Sequence, residues 1–103
     1  MTTSKQKRIE DLKLAISLDR ETLERAIVFI YNLQTGEEQL NQQTVEKNNI
    51  GFSGVDAKRF SYYARYIMSG KHLTGKHLEL ARKRMPKYAR QIIEMTDKRN
   101  ING

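Results

Sequence analysis

The residues best suited to chemistry lie in the run Gly70-Lys-His-Leu-Thr-Gly-Lys-His-Leu78, which repeats Gly-Lys-His-Leu at 70–73 and 75–78. It spells most of a phosphate-binding loop: a glycine, four residues, then Gly75 and Lys76. Such a loop needs a Ser or Thr hydroxyl next, to hold magnesium, and His77 stands there instead. It also follows a parallel strand, whereas this run joins two segments of helical spacing. Nucleotide hydrolysis is therefore disfavoured. A milder chemistry survives, because Thr74-Gly75-Lys76 opens a helix whose exposed backbone N–H groups and lysine suit a nucleic-acid phosphate. A plain helix–helix connection with solvated lysines explains the same residues equally well.

His72 and His77 are the only histidines and no cysteine completes a metal set, so no metal site is assigned. Without cysteine there is also no disulfide and no thiolate nucleophile. Ser, Asp and His occur without the spacing of a nucleophile and its base, and no catalytic residue or cofactor is assigned.

The basic residues are more informative. Residues 1–56 hold seven Lys/Arg and nine Asp/Glu, a balance of −2, while residues 57–103 hold twelve and three, a balance of +9. Charge concentrated in this way costs self-repulsion and attracts polyanions. At 100° per residue, Lys76, Lys83, Lys87 and Arg90 fall within about 60° of one another on a single helix. Arg82 and Arg84 flank that ridge, and Lys71 precedes it. On the helix before it, Tyr62 and Tyr66 project from the side opposite the apolar stripe, among Lys58, Arg59 and Arg65. Aromatic rings interleaved with cations offer stacking faces for bases and charges for the backbone. The same tyrosines would equally serve as packing against the preceding helix, with only their hydroxyls in water.

Positioning these side chains calls for an all-α fold. One proline, few β-branched runs and repeated 3–4 spacing of apolar residues predict a small single-domain bundle of three to four helices over 1–103. Residues 1–7 and 100–103 are expected to be loose. Ile9, Leu12 and Ile16 share a helical face, although Leu12, Leu14, Ile16 and Leu18 also alternate like a strand. Asp19 is the expected N-cap of a helix buried through Leu23, Ala26, Ile27, Ile30 and Leu33 and ending near Gly36. Val28 and Phe29 lie off that stripe and are candidate partner contacts. A long connection over 36–52, with a short helical turn around Leu40, leads to the capping box Ser53-Gly-Val-Asp56. That helix buries Ala57, Phe60, Tyr63, Ala64 and Ile67 and stops at Gly70. Thr74 caps the last helix, whose seam is Leu78, Ala81, Met85, Tyr88, Ile92 and Met95. The seam keeps its phase through Pro86, which predicts one kinked helix over two separate ones.

Several runs resemble a small module of phage and plasmid proteins, over roughly residues 20–93. They are Arg25-Ala-Ile-Val with Tyr31-Asn-Leu-Gln-Thr, then Ile50-Gly-Phe-Ser-Gly-Val-Asp-Ala57, then Leu73-Thr-Gly-Lys-His-Leu and Lys87-Tyr-Ala-Arg-Gln91. The shared pattern is Gly-Phe-x-x-x-Asp, then Leu-Thr, then Lys-Tyr-x-x-Gln. The resemblance implies a mobile-element origin and work near nucleic acid, and brings no catalytic residues with it.

The sequence thus predicts a non-catalytic nucleic-acid-binding accessory protein of a mobile element, acting on DNA or RNA. The alternative is a module that binds and inhibits or redirects a host nucleic-acid-processing protein or complex. A homodimer through the second helix is compatible with both. No run approaches the ~20 apolar residues of a spanning helix and the N-terminus lacks a signal-peptide pattern, so the expected setting is cytoplasmic, away from membranes.

Overall fold

The computed structural model describes residues 4–40 and 51–102, and the side chains of 4–34 and 51–97. The chain is all-helical, a small single domain with no strand among the described residues. Helices α1 (Ser4–Leu18), α2 (Arg20–Leu40) and α3 (Gly54–Met68) precede a fourth helical run made of α4 (Gly75–Arg84), a 3-10 turn (Met85–Tyr88) and α5 (Ala89–Asn102). No helix of the described residues is long and apolar enough to cross a membrane.

Burial decides the first element. Ile9 and Ile16 are enclosed while Leu14 and Leu18 are 60% and 70% exposed, so the period is that of a helix. The helix starts at Ser4, inside the stretch expected to fray, and α5 likewise runs on to Asn102. Arg8 pairs with Asp97 through two bonds of 2.9 and 3.2 Å, and Lys5 reaches Glu94 at 3.4 Å. These exposed pairs add at most about 1 kcal/mol each. Beneath them the two helices share one hydrophobic core, through Ile9 and Ile16 of α1 and Ala89 and Ile93 of α5.

Asp19 separates α1 from α2 and caps the latter as expected, its Oδ2 accepting from the Thr22 hydroxyl at 2.6 Å and the Thr22 N–H at 3.2 Å. Those bonds hold its carboxyl below the usual value. Leu23, Ala26, Ile27, Ile30 and Leu33 are all buried, as their spacing requires. The helix passes Gly36 and continues to Leu40, because an interior glycine weakens a helix by only about 1 kcal/mol and need not end it. Residues 41–50 of the expected connection lie outside the described residues.

Helix α3 buries Phe60, Tyr63 and Ala64 and half-buries Ala57 and Ile67. Gly70 follows it at φ +98°, the left-handed stop that the sequence predicts. Phe52, Phe60, Tyr63 and Tyr88 form a chain of ring contacts at 5.4–5.6 Å that ties the 51–53 segment, α3 and the 3-10 turn together. Pro86, lacking an N–H, sits in the 3-10 turn and interrupts the α-helical repeat. Beyond Tyr88 the buried positions among the described residues are Ala89 and Ile93, where unbroken spacing predicts Ile92; Ile92 and Met95 are only half-buried.

Candidate nucleic-acid interface

The outer face of α3 carries Tyr62, whose neighbours one turn away are Lys58, Arg59, Arg65 and Tyr66. Tyr62 is 54% exposed, and its ring stacks on that of Tyr66 at 6.1 Å with a 30° tilt. The Lys71 ammonium lies 5.2 Å from the centre of the Tyr66 ring. Lys58, Arg59, Arg65, Lys71 and Lys76 are all exposed, and none forms an ion pair with a described residue. No acidic residue occurs between Asp56 and Glu79. The stretch that carries these basic and aromatic residues is therefore of one sign.

A pocket of about 130 Å³ opens beside this surface, lined by Tyr62, Tyr63, Tyr66, Leu73, Thr74 and His77. Its base is fixed from both sides. The Tyr63 hydroxyl and His77 Nδ1 are 2.9 Å apart, and their rings meet edge-on. Leu73 is buried, and its N–H donates to Glu24 Oε2 at 2.8 Å, while His72 Nδ1 lies 2.8 Å from Glu24 Oε1. Glu24, itself buried on α2, thus holds the 70–74 loop. Thr74 stands at the N-cap of α4 in extended conformation, and its hydroxyl makes no capping bond to that helix. Gly75 follows at φ +58°, a conformation that favours glycine.

A 3-10 turn interrupts the ridge expected along the last helix. A 3-10 turn advances about 120° per residue, so the 100° spacing that aligned Lys76 and Lys83 with Lys87 and Arg90 fails across Met85–Tyr88. Two of its cations are also engaged, Lys87 with its Nζ 2.7 Å from Asp56 Oδ2 and Arg90 at 3.9 Å from Glu94. The flanking Arg84 donates to Asp56 Oδ1 at 2.9 Å. Arg82 is half-buried on another side, lining an open groove with Asp19, Glu21, Glu24 and His72, and its buried Nε has no partner among the described residues. Of the ridge, Lys76 and Lys83 are exposed and without an ion pair among the described residues.

Asp56 is therefore more than an N-cap partner. Its side chain is 2% exposed and turned inward, where Tyr88 donates to it at 2.8 Å. The Ser53 hydroxyl lies 3.3 Å away, and the Ser53 N–H donates to the Tyr88 oxygen at 3.0 Å, so the reciprocal capping box is not formed. Burial pushes the Asp56 carboxyl up, but hydrogen bonds from Lys87, Tyr88 and Arg84, together with the Lys87 charge, outweigh it and hold the group below its ordinary value. The bond to Asp56 likewise raises Lys87, and burial raises Tyr88.

The residues behind the family resemblance meet one another here. Gly51 N–H donates to Gln91 Oε1 at 2.7 Å, Phe52 packs edge-on against Tyr88, and Asp56 holds Lys87 and Tyr88. These contacts give the Gly-Phe-x-x-x-Asp and Lys-Tyr-x-x-Gln pattern a role in packing.

Val28 and Phe29 are half-buried and border a shallow groove of about 380 Å³ with Glu21, Arg25, Asn32 and Ile67. The contributions of Tyr63, Leu73, Thr74 and His77 to the tyrosine pocket were not legible as a site, because contacts across 14 residues leave no local spacing. No protein-family model, curated protein or solved structure matches the chain.

Proposed function

We propose that this protein is a non-catalytic nucleic-acid-binding accessory protein of a mobile element, with little sequence preference, and that its contact surface is the outer face of α3 with the 70–76 segment. The observation that carries this reading is the setting of Tyr62: an exposed ring whose neighbours one helical turn away are a second tyrosine and three cations that form no ion pair with a described residue. Lys58, Arg59, Arg65, Lys71 and Lys76 supply phosphate contacts, and Lys83 extends them along α4. Arg84 and Lys87 serve the fold through Asp56, Arg90 lies near Glu94, and Arg82 lines the groove with Asp19, Glu21, Glu24 and His72.

Titration of the purified protein with short single- and double-stranded DNA and RNA at ~0.15 M salt tests the proposal. Non-specific binders reach Kd values near 10⁻⁴–10⁻⁶ M under such conditions. Binding in that range, weakening steeply with salt, is expected for at least one of the four ligands. No binding to any of them overturns the proposal and turns attention to a protein partner at the Val28/Phe29 groove.

A further inference from the structure

We infer that the ligand of the α3 face is a single strand, one of whose unpaired bases stacks on the exposed face of Tyr62 and reaches the pocket beside it. This rests on the nucleic-acid reading above and names the strand state that the reading leaves open. In a duplex the base faces are covered by their neighbours, so a solvent-facing ring gains nothing from them; an unpaired base offers a free face. The 6.1 Å between the Tyr62 and Tyr66 rings is less than the two stacking gaps of about 3.4 Å that a base inserted between them would need. The base therefore lies on the outer side of Tyr62, and the Tyr66 ring with Lys71 above it backs the stack.

The adjoining pocket is small, about 130 Å³, and open to solvent. Its walls are aromatic and its rim offers the Thr74 hydroxyl, which is not spent on capping, and the His77 ring held by Tyr63. Along the helix, Lys58 to Arg65 spans about 10 Å, the length of about three stacked nucleotides. Cations therefore flank the base position on both sides, where the adjacent phosphates of one strand would run.

The experiment is fluorescence anisotropy with a labelled oligothymidylate of about ten nucleotides and a hairpin duplex carrying the same number of phosphates. Tyr62→Ala is expected to weaken binding of the oligothymidylate by about 5- to 150-fold, the equivalent of about 1–3 kcal/mol per stacked base. It should leave duplex binding and the salt dependence unchanged, because no charge is removed. Tyr62→Phe should restore the single-strand affinity by keeping the ring face. Tyr62 is more than half exposed, so the variants fold, which circular dichroism checks. Single-strand affinity of folded Tyr62→Ala within about twofold of the parent overturns this inference and leaves the nucleic-acid reading standing, as does equal weakening on both probes. Failure of the parent protein to bind the oligothymidylate overturns this inference, and failure to bind any of the DNA and RNA ligands of the titration above removes both.

Discussion

Replacing Asp56 by alanine should destabilise the protein by an amount that its surroundings set. The carboxylate accepts from Tyr88 at 2.8 Å in a buried position, and such a bond to a charged group contributes about 1.5–3 kcal/mol. Its partners Lys87 and Arg84 keep about half of their side chains in water, so solvent screening reduces each pair to about 0–1 kcal/mol. The gross loss is therefore about 1.5–5 kcal/mol. Removing the carboxylate also removes its cost of leaving water, which brings the expected loss to the lower end, about 2 kcal/mol. For a domain of this size that lowers Tm by roughly 8–16 °C at neutral pH, measured by circular dichroism at 222 nm. The pH dependence has a definite sign. The Asp56 carboxyl is depressed in the folded state, so its stabilisation is full above the unfolded value near pH 4 and is lost as pH falls through the lower folded value. The gap between parent and variant should therefore be widest near pH 7 and close progressively below about pH 4. A gap under about 0.5 kcal/mol at pH 7, or one unchanged down to pH 2, refutes this description of the cluster.

Two further substitutions test the contacts that frame the site. Gly51→Ala should cost about 2–3 kcal/mol in a denaturant titration, since Gly51 has φ +98° and an added Cβ would sit 2.8 Å from Gln34 Oε1 and 2.9 Å from Gln34 Cβ. Gly54→Ala, where nothing lies within 4 Å of the new Cβ, should be neutral or stabilising by up to about 1 kcal/mol. Glu24→Ala removes the acceptor of the Leu73 N–H, so amide exchange at Leu73 should accelerate at least about tenfold relative to Ile27 on the same α2 helix; equal protection in both proteins would show that Glu24 does not hold the loop.

Local patterns were readable in the sequence where the physics is local. The buried stripe of α2 and the inner face of α3 follow from a period of 3.6, and the Asp19 cap and the Gly70 stop follow from backbone chemistry within one turn. Asp56 shows where such reading ends. A Ser-x-x-Asp spacing is locally complete as a cap, yet the carboxylate's decisive partners are Arg84, Lys87 and Tyr88, about 30 residues away. The ridge on the last helix is altered for a related reason: one 3-10 turn at Pro86 changes the angular step on which the alignment depends. The exposure of Tyr62 could not be chosen from sequence over packing against α2, because both fit the same spacing. Which cations were already paired was equally hidden, since that depends on which acid the fold turns inward.

The central claim is that the α3 face, and not the α4–α5 ridge, meets the phosphates. The salt dependence of single-strand binding tests it most directly, compared between Lys58/Arg59/Arg65→Ala and Lys83/Lys87/Arg90→Ala. Each lost phosphate contact reduces the slope of log K against log salt by about 0.7 on a single strand. The α3 variant should therefore lose about two units of slope, and the α4–α5 variant no more than about one. An unchanged slope in the α3 variant, or the larger loss in the other, contradicts the account.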